Sequence, residues 1–405
     1  MKLFTRDFLC ICVANFMLFF GFYAVLTLLP FYMKDELEAS QQMIGFALTA
    51  MTLASVTIRP IGGYIYDNIQ RRPLYLGAYL LFVLVTGGFA WASFSVLIIV
   101  MRMVQGAAFG TATVGGYAIV ADLLPQERIG EGVGYYGLAN TLAMCLSPMC
   151  VLSLKNTLDY QWLFLLASLV SAIGLFSAFL IQVPKREMPK RRSLLTLDNL
   201  FVLKGFVPAL CFLLAAIPYG MTTAYMALYA RDLGLGAEAG LFFTSMGIGL
   251  GVSRVFGGKI ADKVDIRKLI TAAFILCVFT YLMIASFQQL GALPLSFLLA
   301  IYLFSAMLVG VVYGTLHPSI NKLMLMLTTA DHRGAASSTY LTGFDLGIGV
   351  GMLVGGLLAG CFSSYGAGYL LGAVTTFVAL VVFWVWTHID STRASTHSPL
   401  RERKG

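Results

Sequence analysis

Of the 19 acidic residues in this chain, Asp345 alone stands deep within an apolar stretch, about 12 residues and hence about 18 Å beyond Arg333. A charge at that depth costs a few kcal/mol or more unless it is paired or hydrated, and burial disfavours the ionised form. Asp345 is therefore suited to taking and releasing a proton or to holding a cationic group; the alternative is a structural carboxylate bonded to a neighbouring helix. Arg102, in the string RMVQGAAFG, lies about eight residues into another apolar stretch. Its guanidinium keeps its proton and must find an anion, carbonyl oxygens or water. It can bind an anionic group, serve as the electrostatic partner of Asp345, or fix a hydrogen bond between helices.

A second set of charges is duplicated. GGYIYDNIQRR at 62–72 returns as GGKIADKVDIRK at 257–268, and one offset superposes Arg59 on Arg254, Gly63 on Gly258, Asp67 on Asp262 and Arg72 on Arg267. Arg59 and Arg254 sit one to two turns from the ends of their apolar stretches, where a long side chain can snorkel to the surface or belong with the repeated loop. Asp67 and Asp262 follow a helix end, and a carboxylate there interacts favourably with the N-terminus of an adjacent helix. Such a contact forms in one conformation and breaks in another, which is what a gate requires. A second register aligns RIGEGVGYYGLAN at 128–140 with RGAASSTYLTGFD at 333–345 and sets Asn140 opposite Asp345. The shift between registers implies an insertion, which we place in the connection after the tenth stretch, at NKLMLMLTTADH.

The elements that must carry these groups are membrane helices. The 405 residues are 59% hydrophobic and 11% charged, with a mean hydropathy of +0.84, against about 25% charged in soluble domains. Roughly 20 apolar residues cross a bilayer. Twelve such runs lie near 8–31, 41–66, 74–92, 94–121, 130–152, 160–183, 206–230, 238–260, 268–287, 293–316, 334–360 and 367–388. The expected fold is thus an all-α membrane protein of twelve transmembrane helices in two pseudo-symmetric six-helix bundles. The first spans 1–183 and the second 206–390; a linker at 184–205 and a tail at 391–405 lie on the cytoplasmic side.

The net charge of +8 is informative through its placement. With the N-terminus inside, three of the 27 Lys and Arg residues are external (Lys34, Lys155, Arg231), three are within helices (Arg59, Arg102, Arg254), and the remaining 21 are cytoplasmic. That asymmetry places both termini in the cytoplasm. The seven cysteines lack metal-ligand spacing, and the four histidines form no metal constellation. No nucleotide-binding or hydrolase string occurs. No cofactor, metal or nucleic-acid partner is expected; the expected partners are the lipid bilayer, protons and a small-molecule substrate, with the chain acting as a monomer. Glycines in small-xxx-small spacing, such as Gly343, Gly347, Gly351 and Gly355, serve helix packing first. Phe16, Phe20 and Tyr23 in helix one can line an apolar cavity or face lipid.

Over about 8–388 the chain resembles the major facilitator superfamily. The resemblance rests on the loop pattern Gly63, Asp67, Arg71 and Arg72, its weaker copy Gly258, Asp262 and Arg267, and the RxxQG pattern Arg102, Gln105 and Gly106. It implies a central cavity between two bundles, alternating access by rocking, a cytoplasmic latch at Asp67 and its basic neighbours, and a role for Arg102 in proton coupling. Departures are Asn68 and Gln70 in the loop, only Pro148 and small residues in helix five where exporters carry a glycine series, and Asn15 and Tyr23 in helix one where multidrug members carry an acid. The pattern is most similar to bacterial drug and metabolite efflux members of the inner membrane. The expectation is proton-coupled export of a drug-like compound or a secreted metabolite such as a metallophore; the alternative is an importer or facilitator of a sugar or organic acid. A receptor that moves nothing leaves the repeated gates without purpose, and an intramembrane enzyme lacks a nucleophile and base at depth.

Overall fold

The computed structural model describes residues 4–68, 70–124, 129–183, 205–261, 264–292, 294–327 and 333–396. Asp262, most of the linker and the end of the tail lie outside these residues, as do the surroundings of Gly63 and Gly258 and the side chains of Asp67 and Arg254. Among the described residues twelve α-helices follow one another: α1 Arg6–Asp35, α2 Gln41–Asn68, α3 Arg71–Gly88, α4 Ser95–Leu123, α5 Ile129–Leu154, α6 Tyr160–Phe179, α7 Phe206–Asp232, α8 Ala239–Ala261, α9 Ile266–Ala285, α10 Leu295–Met326, α11 Arg333–Phe362 and α12 Tyr365–Thr396. Eleven contain segments long and apolar enough to cross a bilayer, and the described apolar part of α8 is Ala239–Ser253. Local chemistry sets some starts: the Thr5 hydroxyl accepts from Phe8 N at the head of α1, and the Asp265 carboxylate accepts from Arg267 N at the head of α9.

Two boundaries move. NKLMLM, expected in the connection after the tenth stretch, belongs to α10, which runs unbroken through His317 and Pro318 to Met326. Leu, Met and Lys are good helix formers; hydropathy reports the thickness of the membrane, and the helix is free to outrun it. For the same reason α12 continues to Thr396, past the expected limit of the second bundle.

The duplication is visible in the packing. Within α1–α6 the contacts are α1 with α5 and α6, α2 with α4, and α3 with α4 and α6; each recurs six helices on, as α7 with α11 and α12, α8 with α10, and α9 with α10 and α12. The halves meet chiefly through α2 against α11 and α5 against α8, with α1 touching α7. Call the end bearing both termini the near end. Ala24, Val25, Leu28, Leu29 and Met33 of α1, with Ile44, Leu48 and Phe164, all toward the far end, share one buried apolar core with the second half. Near-end residues of the first half, including Phe8, Ile11, Tyr75 and Ile119, form a separate core. The bundles are thus fused at the far end and separately packed at the near end.

Seams inside each half depend on glycine. Gly343, Gly347 and Gly351 of α11 lie against the carbonyl oxygens of Ala209, Leu213 and Ile217 on α7, and Gly355 meets the Tyr225 ring. Gly106 and Gly110 play the same part on Met51 and Ser55 of α2, and Gly310 on Met246 of α8, while Gly314 meets the Ser253 side chain. Close backbone approach is the main attraction between helices when lipid is as apolar as the core. A methyl group on Gly351 would overlap the Ile217 oxygen, whereas one on Gly251 would meet nothing within 4 Å. Gly351→Ala is therefore expected to destabilise the purified protein by about 1–3 kcal/mol and lower its thermal midpoint in detergent. Gly251→Ala is expected to leave that midpoint unchanged or raise it.

Candidate functional site

Asp345 lies on the face of α11 that meets α2. Along this antiparallel seam Gly45 packs on the Leu353 backbone, Thr49 Oγ1 donates to Gly349 O at 3.0 Å, and Thr52 Oγ1 reaches Met352 Sδ at 3.9 Å. Closer to the near end, Arg59 Nη1 donates to Asp345 Oδ2. The pair joins the two halves, and both side chains are mostly buried, Arg59 at 31% and Asp345 at 18% exposure. Arg59 therefore neither snorkels to lipid nor stays with its loop; it is the cation held by the membrane carboxylate.

Arg102 is placed elsewhere. Its side chain is fully buried inside the first half, where Nη1 donates to Gln105 Oε1 at 2.7 Å and Gln105 Nε2 donates to Thr86 Oγ1 of α3 at 3.0 Å. The expectation that Arg102 partners Asp345 is corrected: Asp345 is ion-paired to Arg59, and Arg102 answers a one-turn neighbour on its own helix. Arg102 Nε and Nη2 have no hydrogen-bond partner among the described residues, an arrangement that costs stability.

Asn140 sits opposite Asp345 in the repeat but turns differently. It accepts from Tyr23 Oη of α1 at 3.3 Å, so α5 presents it to α1 while α11 presents Asp345 to α2. Asn15, also on α1, donates through Nδ2 to Tyr136 O at 3.0 Å and leaves Oδ1 buried without a partner. Across from Tyr23 and Asn140 the second half offers an aromatic wall. Tyr219 Oη contacts Met144 Sδ of α5 at 3.1 Å, and its ring lies 4.3 Å from Tyr313 and 5.5 Å from Phe344. Phe344 in turn stacks on Phe212 at 4.7 Å and meets His317 at 4.9 Å. Helix one contributes Tyr23 to this region, and most of the wall comes from α7, α10 and α11. Its sequence signal is the spacing of Phe212 and Tyr219, seven residues apart on one face of α7.

The repeated loop is anchored at the near end. Arg71 pairs with Asp122 of α4 at 2.7 Å and donates to Ala118 O at 2.8 Å, and Arg72 donates to Phe179 O of α6 at 2.8 Å. Its counterpart Arg267 lies over the Trp386 ring of α12, 5.7 Å from the centroid, so both copies tie a third helix to a sixth. Asp122 was not singled out from the sequence. It becomes legible only when α4 brings it beside Arg71. A separate groove of about 460 Å³ between α2, α3 and α4 is apolar, lined by Ile58, Pro73, Leu81 and Ala107 among others, and involves none of these groups.

If Arg102 serves transport rather than packing, Arg102→Met should keep or raise the thermal midpoint while abolishing transport. A lowered midpoint with transport retained would mark it as a structural residue.

A sequence model described as the Major Facilitator Superfamily matches residues 11–306 and, in an overlapping second placement, 210–404. The chain is similar to the multi-drug resistance efflux pump PmrA of Streptococcus pneumoniae, 25% identical over 372 residues that cover 88% of this chain and 90% of that one. It is also similar to the staphylopine export protein of Staphylococcus aureus, 22% identical over 351 residues, covering 83% and 85%. In fold it resembles the nucleoside transporter NupG, with a TM-score of 0.75 at 13% identity over 95% of this chain and 99% of that one. A bacterial homologue of the human lysosomal transporter Spinster, inward-facing and occupied, superposes with a TM-score of 0.74 at 12% identity over 94% and 96%. Twelve helices in two repeated halves, the paired loop charges and these matches together make the chain a member of the Major Facilitator Superfamily, an integral membrane transporter and not an enzyme.

Proposed function

We propose that this protein is a proton-coupled exporter of a small amphipathic organic molecule, working by alternating access. The observation that carries the reading is the Arg59–Asp345 pair, a titratable carboxylate at membrane depth tied to a cation on the opposite half. Similarity to an efflux pump and to an exporter supports the outward direction. The positive-inside asymmetry supports a bacterial inner membrane with both termini, and hence the near end, in the cytoplasm.

In this arrangement the far end is closed and the cavity opens to the cytoplasm. The substrate rests between Tyr23 and Asn140 on one half and the Tyr219, Tyr313 and Phe344 wall on the other, which offers aromatic surface and few hydrogen bonds. That chemistry suits a drug-like compound or an apolar secreted metabolite better than a sugar. Asp345, ionised, holds Arg59. Once the substrate has left to the outside, a proton from that side neutralises Asp345, the pair parts, and α2 and α11 are free to repack. Release of the proton inward restores the pair. Arg71 with Asp122 keeps the near end of the first half rigid while this happens. Breaking a buried pair by removing one charge costs about 3–5 kcal/mol, enough to bias the two states.

The test is proton movement in proteoliposomes carrying a trapped pH dye. Addition of amphipathic cations and neutral aromatic compounds should drive a proton flux opposite to substrate in the unaltered protein and none in Asp345→Asn. Substrate flux without proton movement, or an unimpaired Asp345→Asn, overturns the mechanism.

A further inference from the structure

The three cations on the external side in the sequence reading gather in the structure at one place, two on Asp35 and the third, Lys34, on Asp232. Asp35 ends α1 and accepts from Arg231 Nη1 of α7 at 2.9 Å through Oδ1 and 3.1 Å through Oδ2. Tyr160 Oη of α6 donates to its Oδ2 at 2.6 Å, and Lys155 Nζ stands 3.5 Å from the same oxygen. Beside it Lys34 faces Asp232 of α7 at 4.0 Å. Phe31, one turn back on α1, lies under both cations: Lys155 Nζ is 4.0 Å and Arg231 Cζ 5.1 Å from its ring centroid.

We propose that Asp35 is the positioning residue of the far-end gate, holding Arg231 of the second half against Lys155 and Tyr160 of the first so that the cavity is shut on that side. The argument is one of charge balance. Arg231 and Lys155 are like charges from opposite halves, gathered around the Asp35 carboxylate and the Phe31 ring, with Lys155 also 5.7 Å from the Tyr160 ring centroid. Burial pulls the Lys155 ammonium below its ordinary value, Asp35 pushes it back up, and Arg231 pulls it down again, so the two cations already feel each other. With Asp35 present the cluster attracts across the seam; with Asp35 neutral the same two cations repel across it. An ordinary exposed ion pair contributes little, but here one substitution turns attraction into repulsion. A ring under both cations adds an attraction that survives salt better than the charges alone.

This inference rests on the alternating-access part of the functional reading and not on proton coupling or substrate identity. The experiment is double electron–electron resonance in nanodiscs. Spin labels are placed at Asn156→Cys on the first half and Ala237→Cys on the second, both exposed at the far end, after the seven native cysteines are replaced. The parent should show mainly the short distance. Asp35→Asn should raise the ratio of long to short distances about fivefold, the factor for roughly 1 kcal/mol, and Asp35→Glu should stay near the parent. Arg231→Gln, which removes one of the two cations, should open the gate less, and Arg231→Gln combined with Asp35→Asn should open less than Asp35→Asn alone because the repulsion is gone. Should Asp35→Asn fail to give monodisperse protein, Arg231→Gln and Lys155→Gln decide the matter. Distances unchanged in these variants, or effects that simply add, would overturn the assignment. An intact gate response with no proton flux would leave this proposal standing and remove the coupling mechanism instead.

Discussion

In hydrocarbon every backbone N–H and C=O must be satisfied within its own helix, because no water is there to accept or donate. Helices built this way have no backbone bonds left to hold each other, and burying apolar surface against a neighbour yields little when lipid is equally apolar. What remains is close packing and side-chain bonding. The glycine rows of α4, α10 and α11 meet the first requirement inside each half, bringing helix backbones to contact distance at Met51, Met246 and Ile217. Such seams are built of many weak contacts spread along each helix pair.

The seams between halves add polar side-chain contacts to glycine packing such as Gly45 on the Leu353 backbone and Gly356 on Gln41 O. Along α2 and α11 the contacts include Thr49 to Gly349 O, Thr52 to Met352 Sδ and Arg59 to Asp345, groups that can be exchanged without rebuilding a core. A buried ion pair roughly breaks even against desolvation. In the proposed cycle that near-cancellation lets the state of one proton decide the sign. Arg102 illustrates the contrast. Held inside one half by Gln105 and Thr86, it is part of a body and not of a joint.

The two ends of the molecule close by distinct chemistry. Near the termini, Arg71, Arg72 and Arg267 bind helices of their own half, through a carboxylate, a carbonyl and an indole ring. At the far end the contacts cross between halves and include charged groups on both sides, with Asp35 at their centre. A transporter needs its halves rigid and at least one rim reversible, and the distribution of charge follows that division.

Much of this was legible from the residues alone. Twelve helices, their near and far ends, the division into two repeated halves, and the isolation of Asp345 and Arg102 at depth all follow from hydropathy, charge placement and duplication. These are properties of the chain read in one dimension. Which face of each helix turns toward which neighbour was not legible. A helix turns about 100° per residue, and with lipid and protein interior equally apolar the sequence carries little amphipathic signal to fix that rotation. So Arg59 rather than Arg102 as the partner of Asp345, Asn140 turned to Tyr23, Asp122 beside Arg71, and three scattered cations gathered near Asp35 were decided only when the helices packed, by the backbone contacts that glycine permits and by the high cost of leaving a charge alone in the membrane.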